Sequence, residues 1–221
     1  QASAITANTA KVTNSTSATD LTSGTLADAR FPATLPAISG ANLTNLPAGG
    51  ATSINGLTDG YNVGNSVGLG TNALANDDGT TNVNTAVGTN TLNSTTSGSY
   101  NTAIGFKALT ANTTGTYNTA SGNYALIANT TGIRNTASGS YALRSNTTGS
   151  SSVAAGYQSL ASNTTASYNT ANGFYSLYAN TTGSYNTASG MYALKSNTTA
   201  TLNTASGYAA LKANTTGIAN T

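Results

Sequence analysis

The sequence predicts an all-β fold, a repetitive β-roll or β-solenoid of 17-residue coils. The first observation behind this prediction is a strict repeat, in which Asn-Thr-Ala or a close variant opens a new unit every 17 residues. The second is the length of the unit, and the third is the set of turn residues that it carries. The units open at Asn84, Asn101, Asn118, Asn135, Ser152, Asn169, Asn186 and Asn203, after an 18-residue unit that opens at Ser66, and Asn220 begins another.

The length of the unit excludes helical repeats. Seventeen residues are too few for two packed helices and their turns, and the unit is also shorter than a leucine-rich repeat. One coil of a β-solenoid fits, with two strands of roughly four to six residues and two turns. A short helical turn in the segment Tyr-Ala-Leu-x-x-Asn, which stands in several units, is the alternative that we keep open.

The start of each unit should alternate as a strand does, with small residues on the inner face. In the unit of Asn101, we expect Ala103 and Gly105 to share that inner face. Thr102 and Ile104 should then lie on the outer face. Further along, the Asn-Thr-Thr-Gly stretch indicates a turn, because Asn tolerates left-handed backbone angles and Gly permits positive φ.

Two positions of the unit never vary, and we expect the stacking of the coils to fix both. The fifth residue is always Gly, which is typical of close backbone approach or positive φ. The ninth is always Leu, the main apolar side chain that each coil offers. These predicted structural positions are Gly70, Gly88, Gly105, Gly122, Gly139, Gly156, Gly173, Gly190 and Gly207, and Leu74, Leu92, Leu109, Leu126, Leu143, Leu160, Leu177, Leu194 and Leu211.

A coil this thin has little core of its own. One Leu, some Ala and one or two Tyr bury little surface, so the coils need neighbours along the axis and beside it. Stacking and association of several chains would together make a fibre, and we expect a homotrimer. At roughly 4.8 Å per coil, nine coils would span about 43 Å.

Composition excludes most enzyme chemistry. Charged residues make up only 5% of the 221 residues, and Glu, His, Cys and Trp are absent. Without His there is no imidazole base, and without Cys there is neither a thiolate nucleophile nor a zinc–thiolate site. We therefore expect no enzymatic activity and no cofactor.

Two of the five aspartates stand in the 18-residue unit, in Asn76-Asp77-Asp78-Gly79. Their oxygen atoms suit Ca²⁺, but the remaining ligands of a calcium loop are missing. We favour a turn that absorbs the extra residue, looped out at Asn76–Gly79. Terminal repeats of solenoids are atypical, so residues 66–83 are predicted to form a capping coil.

The other three aspartates raise the possibility of sugar hydrolysis by paired carboxylates. They are Asp20, Asp28 and Asp59, and no acidic residue follows Asp78, so the later repeats cannot supply such a pair. An ion pair between Asp28 and the nearby Arg30 is the favoured interpretation.

Tyrosines are the most prominent candidates for surface contacts. Their rings could stack on sugars, or on each other between coils so that they seal a trimer seam, and we favour the second. Ice binding by the Thr-rich faces and glycosylation of Asn112-Thr-Thr and Asn129-Thr-Thr are less favoured. Four tyrosines hold the seventh position, Tyr124, Tyr141, Tyr175 and Tyr192, and four close a unit, Tyr100, Tyr117, Tyr168 and Tyr185.

From residue 79 onward there are basic residues but no acidic ones. Such a segment would be attracted to anionic cell envelopes. Nucleic-acid binding is not expected, because five charges along about 43 Å are sparse beside the phosphates of a duplex. The basic residues are Lys107, Arg134, Arg144, Lys195 and Lys212.

The N-terminal residues 1–65 lack the repeat and contain all three prolines. Leu21, Leu26 and Phe31 follow neither a helical nor a strand period, and Pro32 disfavours a helix. We expect an extended linker. The predicted division of the chain is an N-terminal fibre linker at 1–19, an interchain-wrapped linker at 20–65, the capping coil at 66–83 and the repeat array at 84–221, continuing beyond the C-terminus.

Two stretches resemble known families. The run Leu21-Thr-Ser-Gly-Thr-Leu-Ala-Asp-Ala-Arg30 and the Ala33–Leu46 stretch after it resemble the linker modules of tailed-phage fibres. Asn101-Thr-Ala-Ile-Gly-Phe-Lys-Ala-Leu109 is similar to repeat arrays of phage fibres and bacterial surface proteins. The array also looks like a longer relative of the left-handed β-roll heads of trimeric autotransporter adhesins.

The resemblance implies a tail-fibre shaft or adhesin segment that presents a host-receptor-binding tip from a virion. Its implied partners are two further copies of the chain, other tail or baseplate proteins, and a host cell-surface glycan or protein. A head segment of a bacterial trimeric surface adhesin is the alternative, and a tailspike polysaccharide depolymerase is a more distant one. The resemblance carries over no binding residue.

Overall fold

A computed structural model describes residues 60–63, 65–79 and 82–221. Within these ranges the chain forms ten short strands and no helix, which confirms the all-β prediction. The strands are β1 (Gly60–Val63), β2 (Ser66–Leu69), β3 (Thr85–Val87), β4 (Thr102–Ile104), β5 (Thr119–Ser121), β6 (Thr136–Ser138), β7 (Val153–Ala155), β8 (Thr170–Asn172), β9 (Thr187–Ser189) and β10 (Thr204–Ser206).

The ten strands form one sheet in chain order. From β2 onward every pair is parallel, and each residue lies beside its equivalent in the next unit, as Ala103 lies beside Ala120. Parallel neighbours that follow directly in sequence require the chain to wind once around between them. The described residues therefore form a parallel β-solenoid with a repeat of 17 residues.

Each coil contains one three-residue strand, whereas the unit length predicted two longer ones. In the coil of Asn101, the strand ends at Gly105, where φ is +124°, and φ is positive again at Lys107 and Leu109. Turns follow, closed by the Ala108 N–H to the Gly105 carbonyl at 3.4 Å and by the Asn112 N–H to the Leu109 carbonyl at 3.2 Å. Left-handed angles at alternate residues rule out the short helical turn that we kept open.

The strand alternates as predicted at its first three residues. Ala103 is fully buried, Thr102 is half-buried and Ile104 is exposed. Gly105 does not extend the inner face, because its positive φ turns the chain out of the strand.

The leucine column forms the centre of the core. Its members from Leu74 to Leu194 are completely buried, and Leu211 is partly buried against them. Alanines such as Ala103 and Ala108 fill the remaining space. Each fully buried Leu contributes about 1.5–3 kcal/mol relative to an exposed one.

Two features distinguish the N-terminal end of the stack. Strand β1 pairs antiparallel with β2, so that Tyr61 lies beside Gly68 and the first parallel strand has no free edge. Parallel coils therefore do not continue through β1, and the strand covers the edge at which open sheets associate. Residues 60–63 of the linker predicted at 20–65 therefore belong to the sheet. The rest of the predicted linkers up to residue 59, and the crossing of the chain to a neighbouring subunit, lie outside the described residues.

Within the loop predicted at Asn76–Gly79, Asp77 and Asp78 keep the hydrogen bonds of the later coils. The Asp77 N–H donates to the Leu74 carbonyl at 3.1 Å, and the Asp78 N–H donates to Thr96, as the equivalent amides do in later coils. The regular pattern resumes at Asn82, whose carbonyl accepts from the Tyr100 N–H at 2.8 Å. The register is thus kept through Asp78 and again from Asn82, and residues 80 and 81 between them lie outside the described residues.

Candidate functional site

The interior of the solenoid contains an asparagine ladder at the first position of the unit. The Asn101 side-chain Oδ1 accepts from the backbone N–H of Asn118 at 2.9 Å, and Asn118 Oδ1 accepts likewise from Asn135 at 3.0 Å. The Asn101 Nδ2 group donates to the Gly115 carbonyl at 2.9 Å. Ser152 keeps the ladder continuous, because its Oγ accepts from the Asn169 N–H at 3.2 Å.

A second asparagine ladder occupies the twelfth position. Asn129 Nδ2 donates to Asn112 Oδ1 at 2.9 Å and to the Gly132 carbonyl at 3.1 Å. Asn118 of the first ladder donates to that same carbonyl at 2.8 Å, so the two ladders meet there. They meet in the same way at Gly115, Gly149, Gly183 and Ala200. Buried amides that are fully hydrogen-bonded hold their neighbours in one register.

Sequence analysis did not assign these interior roles. The available signal was that Asn is almost constant at the first and twelfth positions and differs mainly at Ser152 and Thr95. Thr95 Oγ1 is the one buried side-chain polar atom without a hydrogen-bond partner in the described part of the chain. The buried state of Asn112 and Asn129 also rules out glycosylation of the folded chain at these two residues.

The glycine column lies where neighbouring coils approach most closely. At Gly122, φ is +140°, and an added Cβ would lie 2.6 Å from the carbonyl carbon of Gly139 in the next coil. At Gly139, φ is +137°, and the same addition would meet the Gly156 oxygen at 2.6 Å. A side chain here would both strain the backbone and push two coils apart.

The outer surface carries a continuous row of aromatic rings from Phe106 to Tyr208. We call the side chains at the sixth, seventh and tenth positions of these coils, from the coil of Asn101 to the coil of Asn203, the aromatic strip. Successive ring centroids lie 5.1 Å apart for Tyr124 and Tyr141, 5.4 Å apart for Tyr157 and Phe174, and no more than 6.2 Å apart elsewhere along the row. All four tyrosines predicted as surface contacts, Tyr124, Tyr141, Tyr175 and Tyr192, belong to the strip.

A second aromatic row, the tyrosine ladder, occupies the seventeenth position. Tyr100 stacks on Tyr117, and Tyr168 on Tyr185, with centroids 5.0 Å apart in both pairs. Arg134 separates the two pairs, and its guanidinium lies 5.8 Å from the Tyr117 ring centre. Rings of both rows therefore stack on one another between coils, as we favoured; whether they also seal a trimer seam stays a prediction.

Most of the positive charge lies on the aromatic strip. The ammonium of Lys107 is 5.3 Å from the Phe106 ring centre, and those of Lys195 and Lys212 are 5.1 Å and 5.4 Å from the Tyr192 ring centre. These are cation–π distances. Arg144 holds the same tenth position as Lys195 and is exposed. The strip therefore combines rings and cations along one side of the solenoid.

Tyr175 lies at the most crowded point of the strip. Its partial burial raises the pKa of its phenol above the ordinary value of a tyrosine, and the neighbouring phenols of Tyr157, Tyr178 and Tyr192 raise it further. The group therefore stays protonated in neutral and mildly alkaline solution, where it can donate and accept hydrogen bonds.

The acidic residues of the first coil take part in turn contacts. Asp77 Oδ1 accepts from the Gly79 N–H at 3.1 Å, and Asn82 Nδ2 donates to both Asp77 and Asp78, at 3.1 Å and 3.0 Å. These bonds favour the turn over the calcium loop. Across the residues that the structure describes, no group of three or more His, Cys, Asp or Glu side chains could hold a metal ion. Asp20, Asp28 and Asp59 lie outside the described residues.

Residues 60–63, 65–79 and 82–221 include no apolar helix long enough to cross a membrane. Comparisons of the chain with protein-family models, with curated proteins and with solved structures find no match.

Proposed function

We propose that this chain is a non-enzymatic, structural segment of a homotrimeric tail-fibre shaft, which holds a host-receptor-binding tip away from a virion. The observation that carries the proposal is the uniform bracing of the coils. Every coil repeats the same backbone bonds to its neighbour, and the two asparagine ladders run through almost all of them. A stack with such repeated contacts makes a stiff rod, which is what a shaft requires.

The outer face of the sheet supports association into a trimer. From β2 to β10 it carries only uncharged side chains, among them Leu69 and Ile104, which are 36% and 46% exposed. Uncharged faces associate at low desolvation cost, and a partner that covers Leu69 and Ile104 would remove their apolar surface from water. We propose that three chains pack through this face, in place of the tyrosine seam favoured from the sequence, and leave the aromatic strip on the outside.

We infer from the linker resemblance that the shaft belongs to a phage particle, with other tail or baseplate proteins as its neighbours. The repeat array alone also resembles the heads of bacterial trimeric adhesins, and this similarity favours a surface adhesin as the second candidate. Sugar hydrolysis finds no support in residues 82–221, which contain no carboxylate side chain.

Immunogold electron microscopy tests the proposal. Antibodies raised against residues 84–221 are applied to phage lysates and to intact cells from the source culture. Gold along the fibres of tailed particles supports the shaft, and gold on the cell envelope supports the adhesin. Labelling of neither surface, with the chain detected only inside cells, would contradict both.

A further inference from the structure

We propose that the aromatic strip binds a linear acidic polysaccharide laid along the axis of the solenoid. The inference deepens the proposed function and rests on it for its setting, since it gives the shaft a binding partner of its own. It is argued from the charges, the ring geometry and the free hydroxyl groups of the strip.

The charge of the strip calls for an anionic partner. Lys107, Arg144, Lys195 and Lys212 lie in its columns, and the chain has no acidic residue after Asp78. In the described residues, Lys107, Lys195 and Lys212 contact aromatic rings. A polyanion that reaches them replaces water and counterions at every cation it meets.

A second copy of the chain is a poor occupant of the strip. Its residues 79–221 also lack acidic side chains, so a contact between two such arrays would bury lysines without a counter-charge. Burial of an unpaired ammonium is strongly unfavourable. The strip is therefore suited to a foreign partner.

The rings favour a hydroxyl-rich polymer that runs lengthwise. Each coil advances by roughly 4.8 Å, which is comparable to the length of one sugar residue in an extended polysaccharide. In the described residues, one phenol of the strip, that of Tyr157, has a hydrogen-bond partner within the protein, Gln158. The phenols of Tyr124, Tyr141 and Tyr192 remain available to bond sugar hydroxyls.

A nucleic acid fits the strip less well. Binding of single strands depends on free aromatic faces on which bases stack, and on cations that follow the backbone closely. Tyr124 and Tyr141 already stack on each other, with planes 7° apart. A glycan does not need those faces, because its hydroxyl groups can bond the phenols of the strip instead.

Isothermal titration calorimetry on the 221-residue chain tests the inference. The probes are oligomers of alginate, a linear polymer of uronic acids, with neutral maltooligosaccharides and oligo(dT) of equal length at the same salt concentration. We expect alginate to bind at least about tenfold more tightly than maltooligosaccharide or oligo(dT). The double variant Lys195→Gln, Lys212→Gln should weaken alginate binding roughly tenfold.

Matched variants on the tyrosine ladder control for lost aromatic surface. Tyr124→Ala with Tyr141→Ala removes one stacked pair from the strip, and Tyr168→Ala with Tyr185→Ala removes an equivalent pair from the ladder. We expect only the first double variant to weaken alginate binding, by about tenfold. The far-ultraviolet circular dichroism spectrum of both double variants should be unchanged. Equal loss in both pairs would overturn the proposal, as would tighter binding of maltooligosaccharide or oligo(dT) than of alginate.

The calorimetric test of alginate binding and the gold-labelling test of the shaft can fail independently. Loss of alginate binding with labelled fibres leaves the shaft standing without this partner. Alginate binding by a chain that labels no particle would support the strip and reject the shaft.

Discussion

Replacement of Asn129 by Ala tests how strongly an asparagine ladder holds the coils together. The side chain is fully buried and makes three hydrogen bonds. It donates to Asn112 Oδ1 at 2.9 Å and to the Gly132 carbonyl at 3.1 Å, and it accepts from Asn146 Nδ2 at 2.8 Å. Alanine removes all three and leaves Asn112 Oδ1 unpaired in the interior.

The magnitude follows from these contacts. A net loss of about 0.5–1.5 kcal/mol for each of the three hydrogen bonds, with about 1–3 kcal/mol for an acceptor left unsatisfied, gives roughly 2.5–7.5 kcal/mol. The Gly132 carbonyl keeps its bond from Asn118, and Asn146 keeps its bond to Gly149, so the lower half of that range is expected.

Denaturant unfolding at fixed protein concentration gives the free energy of unfolding of each variant. Hydrogen exchange of the neighbouring coils is a second readout. Long repeat arrays depart from two-state behaviour, so the exchange data decide whether the loss is local. The control is Thr131→Ala, an exposed threonine of the same turn, for which we expect a change within about 0.5 kcal/mol. Equal effects of the two variants would refute the proposed role of the ladder.

Three further predictions concern the other columns and the assembly. Gly122→Val should destabilise the chain by about 2–6 kcal/mol, because φ is positive at Gly122 and Gly139 lies close to it. The control variant Lys195→Ala should change stability by about 0.5 kcal/mol or less. Equal melting temperatures of the two variants would show that the glycine column is incidental. Leu126→Ala should lower the free energy of unfolding by about 2–5 kcal/mol, and Leu211→Ala by less, because Leu211 is only partly buried. The reverse order in denaturant unfolding would contradict the assigned core. Sedimentation equilibrium should give the mass of three chains, and a folded species with the mass of one chain would reject the trimer.

The repeat columns could be predicted from the sequence because stacking imposes the same constraint on every copy. Gly122 and Leu126 are constant for reasons that the structure displays directly, close backbone approach and complete burial. The outline of the fold followed from period and composition alone.

The path of the chain within each coil could not be predicted in the same way. Tyr124 and Leu126 take φ values of +60° and +51°, which residues other than glycine rarely adopt. Hydrogen bonds between coils, such as the Leu126 N–H to the Ala142 carbonyl at 3.0 Å, hold these angles against local preference. The strands are short because the chain turns at these residues.

The candidate site was only partly visible in the sequence. The tyrosines at the seventh position stood out, but the sequence gives no distance between the sixth, seventh and tenth columns. The fold brings them to one side, so that Lys195 lies beside Tyr175 and Tyr192. Charges that seemed scattered along the chain are therefore concentrated on the aromatic strip.

The central claim is that the array is a stack of equivalent coils, each one repeat long. Small-angle X-ray scattering on a variant that lacks residues 118–134, one complete unit, tests it most directly. The account predicts a cooperative, folded particle that is shorter by roughly 4.8 Å, with an unchanged cross-section. A variant that lacks residues 118–126 should lose this order, because it leaves an incomplete coil. Equal tolerance of the two deletions, or a change in cross-section for the first, would contradict the account.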